Sequence, residues 1–205
     1  MVNLSSVVSI SVGPTGHACA VVSPDRRAYC WGRNAFGALG DRSTVDSSVP
    51  VAVQNLSGAV KVAAGSFSTC ALLLTGQVSC WGDNSAGQLG DGTVMPRLDP
   101  TTPDVSQVAS VRAGNGHWCV VQKTGQVSCW GQNGAHQTGS PAAGNVPAPF
   151  VHPGISDAVA VSLGSLFTCV LHRDGNASCW GTNDMGQLGN GTMAPSTAPT
   201  PVLLP

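Results

Sequence analysis

Charge is scarce in this chain. Asp, Glu, Lys and Arg make up 9% of its 205 residues and almost cancel, leaving a formal net charge of −1. Soluble domains ordinarily carry about a quarter. The basic residues form no stripe, which speaks against nucleic acid as a partner. Long apolar runs are missing as well. None reaches the roughly eighteen residues that would cross a bilayer, so no membrane span is expected. The start, Met1-Val2-Asn3-Leu4-Ser5, lacks the basic region and apolar stretch of a secretory signal. The expectation is a chain whose export signal has been removed or never existed.

Catalytic motifs are absent too. The five histidines (His17, His117, His136, His152, His172) include no His-x-x-x-His pair. There is no Gly-x-Ser-x-Gly elbow and no Gly-x-x-x-x-Gly-Lys phosphate loop, and the carboxylates are scattered. No residue set nominates an active site. The expectation is a protein that is not an enzyme and needs no cofactor and no metal.

What the chain does have is apolar residues (42%), 26 glycines and 14 prolines. That mixture suits short strands joined by tight turns, and it argues against helices. An internal repeat is plain. Cys-Trp-Gly recurs at Cys30, Cys80, Cys129 and Cys179, at spacings of 50, 49 and 50 residues. A second cysteine precedes each, at Cys19, Cys70, Cys119 and Cys169. An Asn stands four residues after each Cys-Trp-Gly cysteine, at Asn34, Asn84, Asn133 and Asn183. Gly-x-Leu-Gly follows in three repeats, whereas the third reads His136-Gln137-Thr138-Gly139. The repeats fall near 5–57, 58–106, 107–156 and 157–205, within a single domain spanning 1–205.

In the second repeat, Val60-Lys61-Val62 reads as a first strand that ends before Gly65. Cys70 to Leu74 and Gln77 to Trp81 read as the next two strands. Pro100 to Val105 reads as an outer one, since proline is tolerated only at sheet edges. Four short antiparallel strands per repeat make one propeller blade.

The cysteine spacing can be tested against hairpin geometry. A three-residue loop, Leu74-Thr75-Gly76, places Leu73 opposite Gln77, Leu72 opposite Val78 and Cys70 opposite Cys80. The first repeat has one more residue between its cysteines. A four-residue loop, Ser23-Pro24-Asp25-Arg26, restores the match, with Val22 opposite Arg27 and Cys19 opposite Cys30. Loop length and cysteine spacing therefore change together. Cys19–Cys30, Cys70–Cys80, Cys119–Cys129 and Cys169–Cys179 are the expected disulfides, because directly opposed residues fall within disulfide reach. Free thiols in a cytoplasmic protein are the competing reading.

The run Gly65…Cys70-Ala71-Leu72…Gly76-Gln77-Val78…Trp81-Gly82-x-Asn84-x-x-Gly87-Gln88-Leu89-Gly90-x-Gly92-Thr93 resembles the regulator of chromosome condensation (RCC1) repeat. The resemblance extends over the whole chain. The family's histidine, two residues before the first cysteine, is present as His17 and His117; Ser68 and Phe167 replace it elsewhere. The resemblance implies an all-β propeller, usually of seven blades, that acts by binding proteins. With four repeats the expectation is an incomplete, open propeller or part of a larger ring. The chain starts at a first strand and stops after a last one, so no strand exchange would latch blade one to blade four. The best-known member is a guanine-nucleotide exchange factor that uses a wedge inserted outside the repeats. Thr93 to Pro103 and Ser140 to Pro153 look like ordinary variable loops, so that activity does not transfer.

The recurring Trp31, Trp81, Trp130 and Trp180 read as packing between blades. Trp118 occurs once, in Gly116-His117-Trp118-Cys119, near a loop; burial and a partner contact are equally open readings for it, and with His117 it is the candidate partner contact. Asp83-Asn84…Asp91-Gly92-Thr93 reads as a turn rather than a calcium loop, for it lacks the ligand alternation of one. The leading expectation is a protein-binding scaffold outside the cytoplasm that uses its blade-connecting loops. The alternatives are a small-GTPase regulator or secreted enzyme inhibitor, and a purely structural segment of a larger surface protein. A loop-face patch of exposed Trp, Phe or Arg would favour the first. Self-association or further blades would close the ring.

Overall fold

A computed structural model describes residues 4–203. Among them are sixteen strands and no helix. The first blade is β1 (Val7–Val12), β2 (His17–Val22), β3 (Arg27–Gly32) and β4 (Ser47–Ala52). The second is β5 (Ala59–Ala64), β6 (Ser68–Leu73), β7 (Val78–Gly82) and β8 (Arg97–Thr101). The third is β9 (Val108–Ala113), β10 (His117–Gln122), β11 (Val127–Gly131) and β12 (Val146–Val151). The fourth is β13 (Ala158–Leu163), β14 (Phe167–His172), β15 (Ala177–Gly181) and β16 (Ser196–Pro201). Each sheet takes its four strands in sequence order, and no blade borrows a strand from another. Strand packing runs from blade one to two, two to three and three to four, and the arc stays open.

The hairpin register is the one that loop length dictates. Cys19 faces Cys30 and Cys70 faces Cys80, with Leu72 opposite Val78 and Val22 opposite Arg27. The cysteines stand in pairs at disulfide-bonding distance, their Cα atoms 4.0–4.1 Å apart. The outer strand of the second blade differs from expectation. It lies at Arg97–Thr101, not Pro100–Val105. Val105 instead turns inward and joins the core between blades two and three. Pro50, Pro100, Pro149 and Pro199 occupy the outer strands, where a missing N–H breaks no ladder and discourages edge pairing.

Each blade has a leading face, which meets the preceding blade, and a trailing face, which meets the next. Three apolar cores fill the three junctions. The Cys-Trp-Gly tryptophan is the centre of the leading face. Trp81, Trp130 and Trp180 are fully buried. Each indole N–H donates to a carbonyl of the blade before it: Ala38 (2.8 Å), Gln88 (3.0 Å) and Gln137 (3.0 Å). The last glycine of Gly-x-Leu-Gly makes room for that ring. Gly90 has φ +71°, and a Cβ there would stand 2.8 Å from Trp130 Nε1. Trp31, with no blade before it, is only half-buried.

The repeated Asn organises the long loop between the third and fourth strands. Buried Asn84 donates to the carbonyls of Thr93 (3.1 Å) and Met95 (3.0 Å) and accepts from the Leu89 N–H (2.9 Å). Asp91 accepts from Thr93 and Arg97, and Asp83 accepts from Ser85 and Gln88. These carboxylates are thus occupied in holding turns. In the third repeat His136 takes the glycine's left-handed conformation, at φ 57°.

Buried histidines tie the fold to pH. Thr69 and Thr168 donate their hydroxyls to the carbonyls of Ala38 and Gln137. His17 and His117 must therefore donate from Nε2 to those hydroxyls, each at 2.9 Å. Their Nδ1 atoms then carry lone pairs, and that of His117 has no protein partner. Protonation would bury an unpaired N–H, and burial lowers the pKa of His17 to about 4 and of His117 to about 3. The unfolded chain, with histidine near 6.5, takes up protons first. Stability is therefore complete above pH ~6.5 and falls as pH drops towards ~4, by up to about 1.4 kcal/mol per pH unit for each histidine. Urea midpoints measured across that range should decline. A flat profile would show that these histidines are not buried as neutral rings.

Candidate functional site

One rim of the arc carries two sets of loops: the short turns 13–16, 65–67, 114–116 and 164–166, and the long loops 33–46, 83–96, 132–145 and 182–195. The short turns are laced across blades. Thr15 Oγ1 donates to the Ser66 carbonyl, and Ser66 Oγ donates to Asn115 Oδ1. This lacing presents a firm surface rather than loose tips.

On that surface the rings of Phe36 and Phe67 meet edge to face at 5.2 Å, and the Arg33 guanidinium lies 5.1 Å from the Phe67 ring centre. Phe36 is 41% exposed, Arg33 is exposed and Phe67 is half-buried. The cluster spans the junction of blades one and two. Beside it a polar hollow of about 220 Å³ opens between blades two and three, lined by Ser66, Asp83, Ser85, Asn115 and Gln132. A larger cleft of about 470 Å³ follows the arc's inner edge, where Val12, Pro14, Ala64, Ala113, Leu163 and Ser165 converge. Chemically the surface offers aromatic faces, the Arg33 cation beside them and several hydrogen-bonding groups. Among the described residues no three His, Cys, Asp or Glu side chains gather as a metal site would require.

Trp118 and His117 are not on this surface. Trp118 is 1% exposed and donates its indole N–H to Ser68 Oγ at 3.2 Å, and His117 is fully buried under the fourth blade. Both are corrected here from candidate contacts to junction packing. Strand alternation directs Trp118 into the junction with blade two, where Ser68 leaves room for it. The cluster that is exposed was missed, although its signal was present. Phe36 stands where the other repeats have Ala86, Ala135 and Met185. It is a singular aromatic in a loop, whereas Trp118 is a singular aromatic in a strand.

Models of the regulator of chromosome condensation (RCC1) repeat match residues 25–72 in one form and 7–38, 59–88 and 158–187 in another, together over half of the chain. The chain belongs to the RCC1 repeat family. Its fold is similar to yeast RCC1 (Prp20), solved with Kap60 bound, at 20% identity and a TM-score of 0.87, over 97% of this chain and 49% of that one. Human WBSCR16 is similar at 21% identity and a TM-score of 0.85, over 100% of this chain and 55% of that one. The CRINKLY WD40 ectodomain of the Arabidopsis thaliana receptor kinase ACR4 is similar at 21% identity and a TM-score of 0.52, over 96% of this chain and 53% of that one. This RCC1-type chain thus spans about half the length of these structures. Among curated proteins there is no significant match.

Proposed function

We propose that this chain is a non-enzymatic, protein-binding RCC1-type scaffold that engages its partner through the loop rim, with Arg33, Phe36 and Phe67 as the anchor. The observation that carries the reading is the exposed, pre-packed aromatic pair with its arginine. Aromatic and arginine side chains dominate binding energy where they sit in a rigid patch. Similar structures point the same way, since yeast RCC1 is described with Kap60, and with Gsp1p and histones. The paired cysteines support an oxidising compartment outside the cytoplasm.

The test compares wild-type chain with Arg33→Glu/Phe36→Ser, used as immobilised bait against extracts of its source and followed by binding measurements on each captured protein. Truncating an anchor of this kind typically costs about 2 kcal/mol or more, a loss of affinity of roughly thirtyfold. The variant should melt like the parent, because both side chains are exposed. Unchanged affinity for every captured protein would overturn the assignment of this rim as the binding surface.

A further inference from the structure

The two ends of the arc are unlike each other and alike to the insides of its junctions. On the leading face of blade one, Ile10 is 64% and Val7 41% exposed. The register-equivalent residues of the other blades are buried: Val62, Val111 and Val161 for Ile10, and Ala59, Val108 and Ala158 for Val7. The trailing face of blade four mirrors this. Leu171 is 43% exposed, while its equivalents Val21, Leu72 and Val121 are 0%, 6% and 3% exposed.

The polar groups of a junction are divided between the same two ends. The Trp31 indole N–H finds no acceptor among the described residues. The Gln187 carbonyl, at the repeat position of Ala38, Gln88 and Gln137, receives no indole among them. Gly189 keeps the left-handed conformation, at φ +62°, that lets a tryptophan approach at Gly40, Gly90 and Gly139. One end thus carries the donor and the other carries the acceptor and the room for the ring.

Side-chain size says which blade fits. At every internal junction the residue two before the first cysteine meets the residue one before the first cysteine of the next blade. These pairs are His17 with Thr69, Ser68 with Trp118, and His117 with Thr168. A large residue on one side is met by a small one on the other. The trailing end has a half-buried Phe167, and the leading end has Ala18, 9% exposed in the single chain and the smallest residue at its position. The two ends complete the series with each other.

We infer that the open trailing face of blade four docks on the leading face of blade one of a second copy of this chain, and that two copies close a ring. In that contact Phe167 lies over Ala18, Trp31 donates to Gln187, and Ile10 and Leu171 become buried. The net charge of −1 puts up no barrier to the approach of a second copy. The structures of similar fold are about twice as long as this chain, so two copies, with eight blades between them, match those structures in length. Each copy contributes one leading and one trailing face, so two identical contacts form under a twofold axis.

Sedimentation velocity over a wide concentration series tests this with the full chain and two variants, Ile10→Lys and Leu171→Lys. Both side chains are exposed in the single chain, so neither change disturbs folding, and circular dichroism would verify that. Wild-type chain should sediment at twice the monomer mass. Each variant alone should be monomeric, with association weakened by more than about tenfold, because every contact would bury an unpaired lysine. Mixing the two variants should restore a one-to-one pair, since one unaltered contact remains available to them. A wild-type monomer at all concentrations would overturn the inference. So would variants that associate as the parent does, a mixture that stays monomeric, or a ladder of masses in place of a closed pair.

Discussion

Replacing Trp81 by alanine is expected to lower stability by about 3–5 kcal/mol, while the same change at Trp31 costs far less. Both residues sit in Cys-Trp-Gly on the third strand of a blade. Trp81 is fully enclosed between blades one and two and donates its indole N–H across the junction. Removing it leaves a cavity among Val21, Leu39, Val53 and Val62 and takes from the Ala38 carbonyl one of its two donors, with Thr69 remaining. Because each blade contacts only its neighbours, the loss falls on one junction and loosens blade one from the rest. Trp31 faces no preceding blade, and in the single chain it has little to lose. Urea unfolding of the two variants, at a concentration where the chain is monomeric, measures the contrast. Equal destabilisation would mean that the tryptophans act within their own blades and not between them.

Reduction of the disulfides is expected to have a comparable or larger effect. Each closes a loop of about ten residues, worth roughly 2–3 kcal/mol. Domains of ordinary stability hold only about 5–15 kcal/mol in all, so loss of all four linkages should leave the chain unfolded or nearly so at neutral pH. The order of reduction is also set by the fold. Six of the cysteines, Cys19 to Cys129, are fully buried on trailing faces that a following blade covers. Cys169 lies on the uncovered trailing face of blade four and is partly exposed. Limited treatment with a thiol reductant, followed by alkylation and peptide mapping, should therefore label Cys169 and Cys179 first. Non-reducing maps of untreated protein should show the four within-repeat linkages. A cross-repeat linkage, or four linkages that reduce at one common rate, would contradict this account.

Much of this protein is local, and local order is legible in a repeat. Cys70 faces Cys80 because three loop residues separate the strands, and Cys19 faces Cys30 because four do. Hairpin register follows from loop length, and no distant contact is needed to set it. The burial of Trp81, Trp130 and Trp180 was legible for a related reason, since one residue at one repeat position has one environment wherever a blade precedes it. Asn84 was legible as turn hardware because its partners, Leu89, Thr93 and Met95, lie within eleven residues of it.

Trp118 is open to both burial and contact in the sequence because its environment is made by another repeat. Its ring enters the junction only where Ser68 takes a histidine's place, fifty residues away. The outer strand of blade two moved to Arg97–Thr101 for the same kind of reason, as Val105 gains more from the core between blades than from an exposed edge. Phe36, Phe67 and Arg33 come from two blades, and only the approach of those blades brings them within 5.2 Å. By itself, then, the sequence determined the blades, their number, their hairpin pairings and the tryptophan seam, because those depend on contacts within one repeat or on its periodicity. Only the tertiary structure decided which aromatic side chains face solvent and which two faces stand open, because burial at a junction depends on the residue the neighbouring blade brings to it.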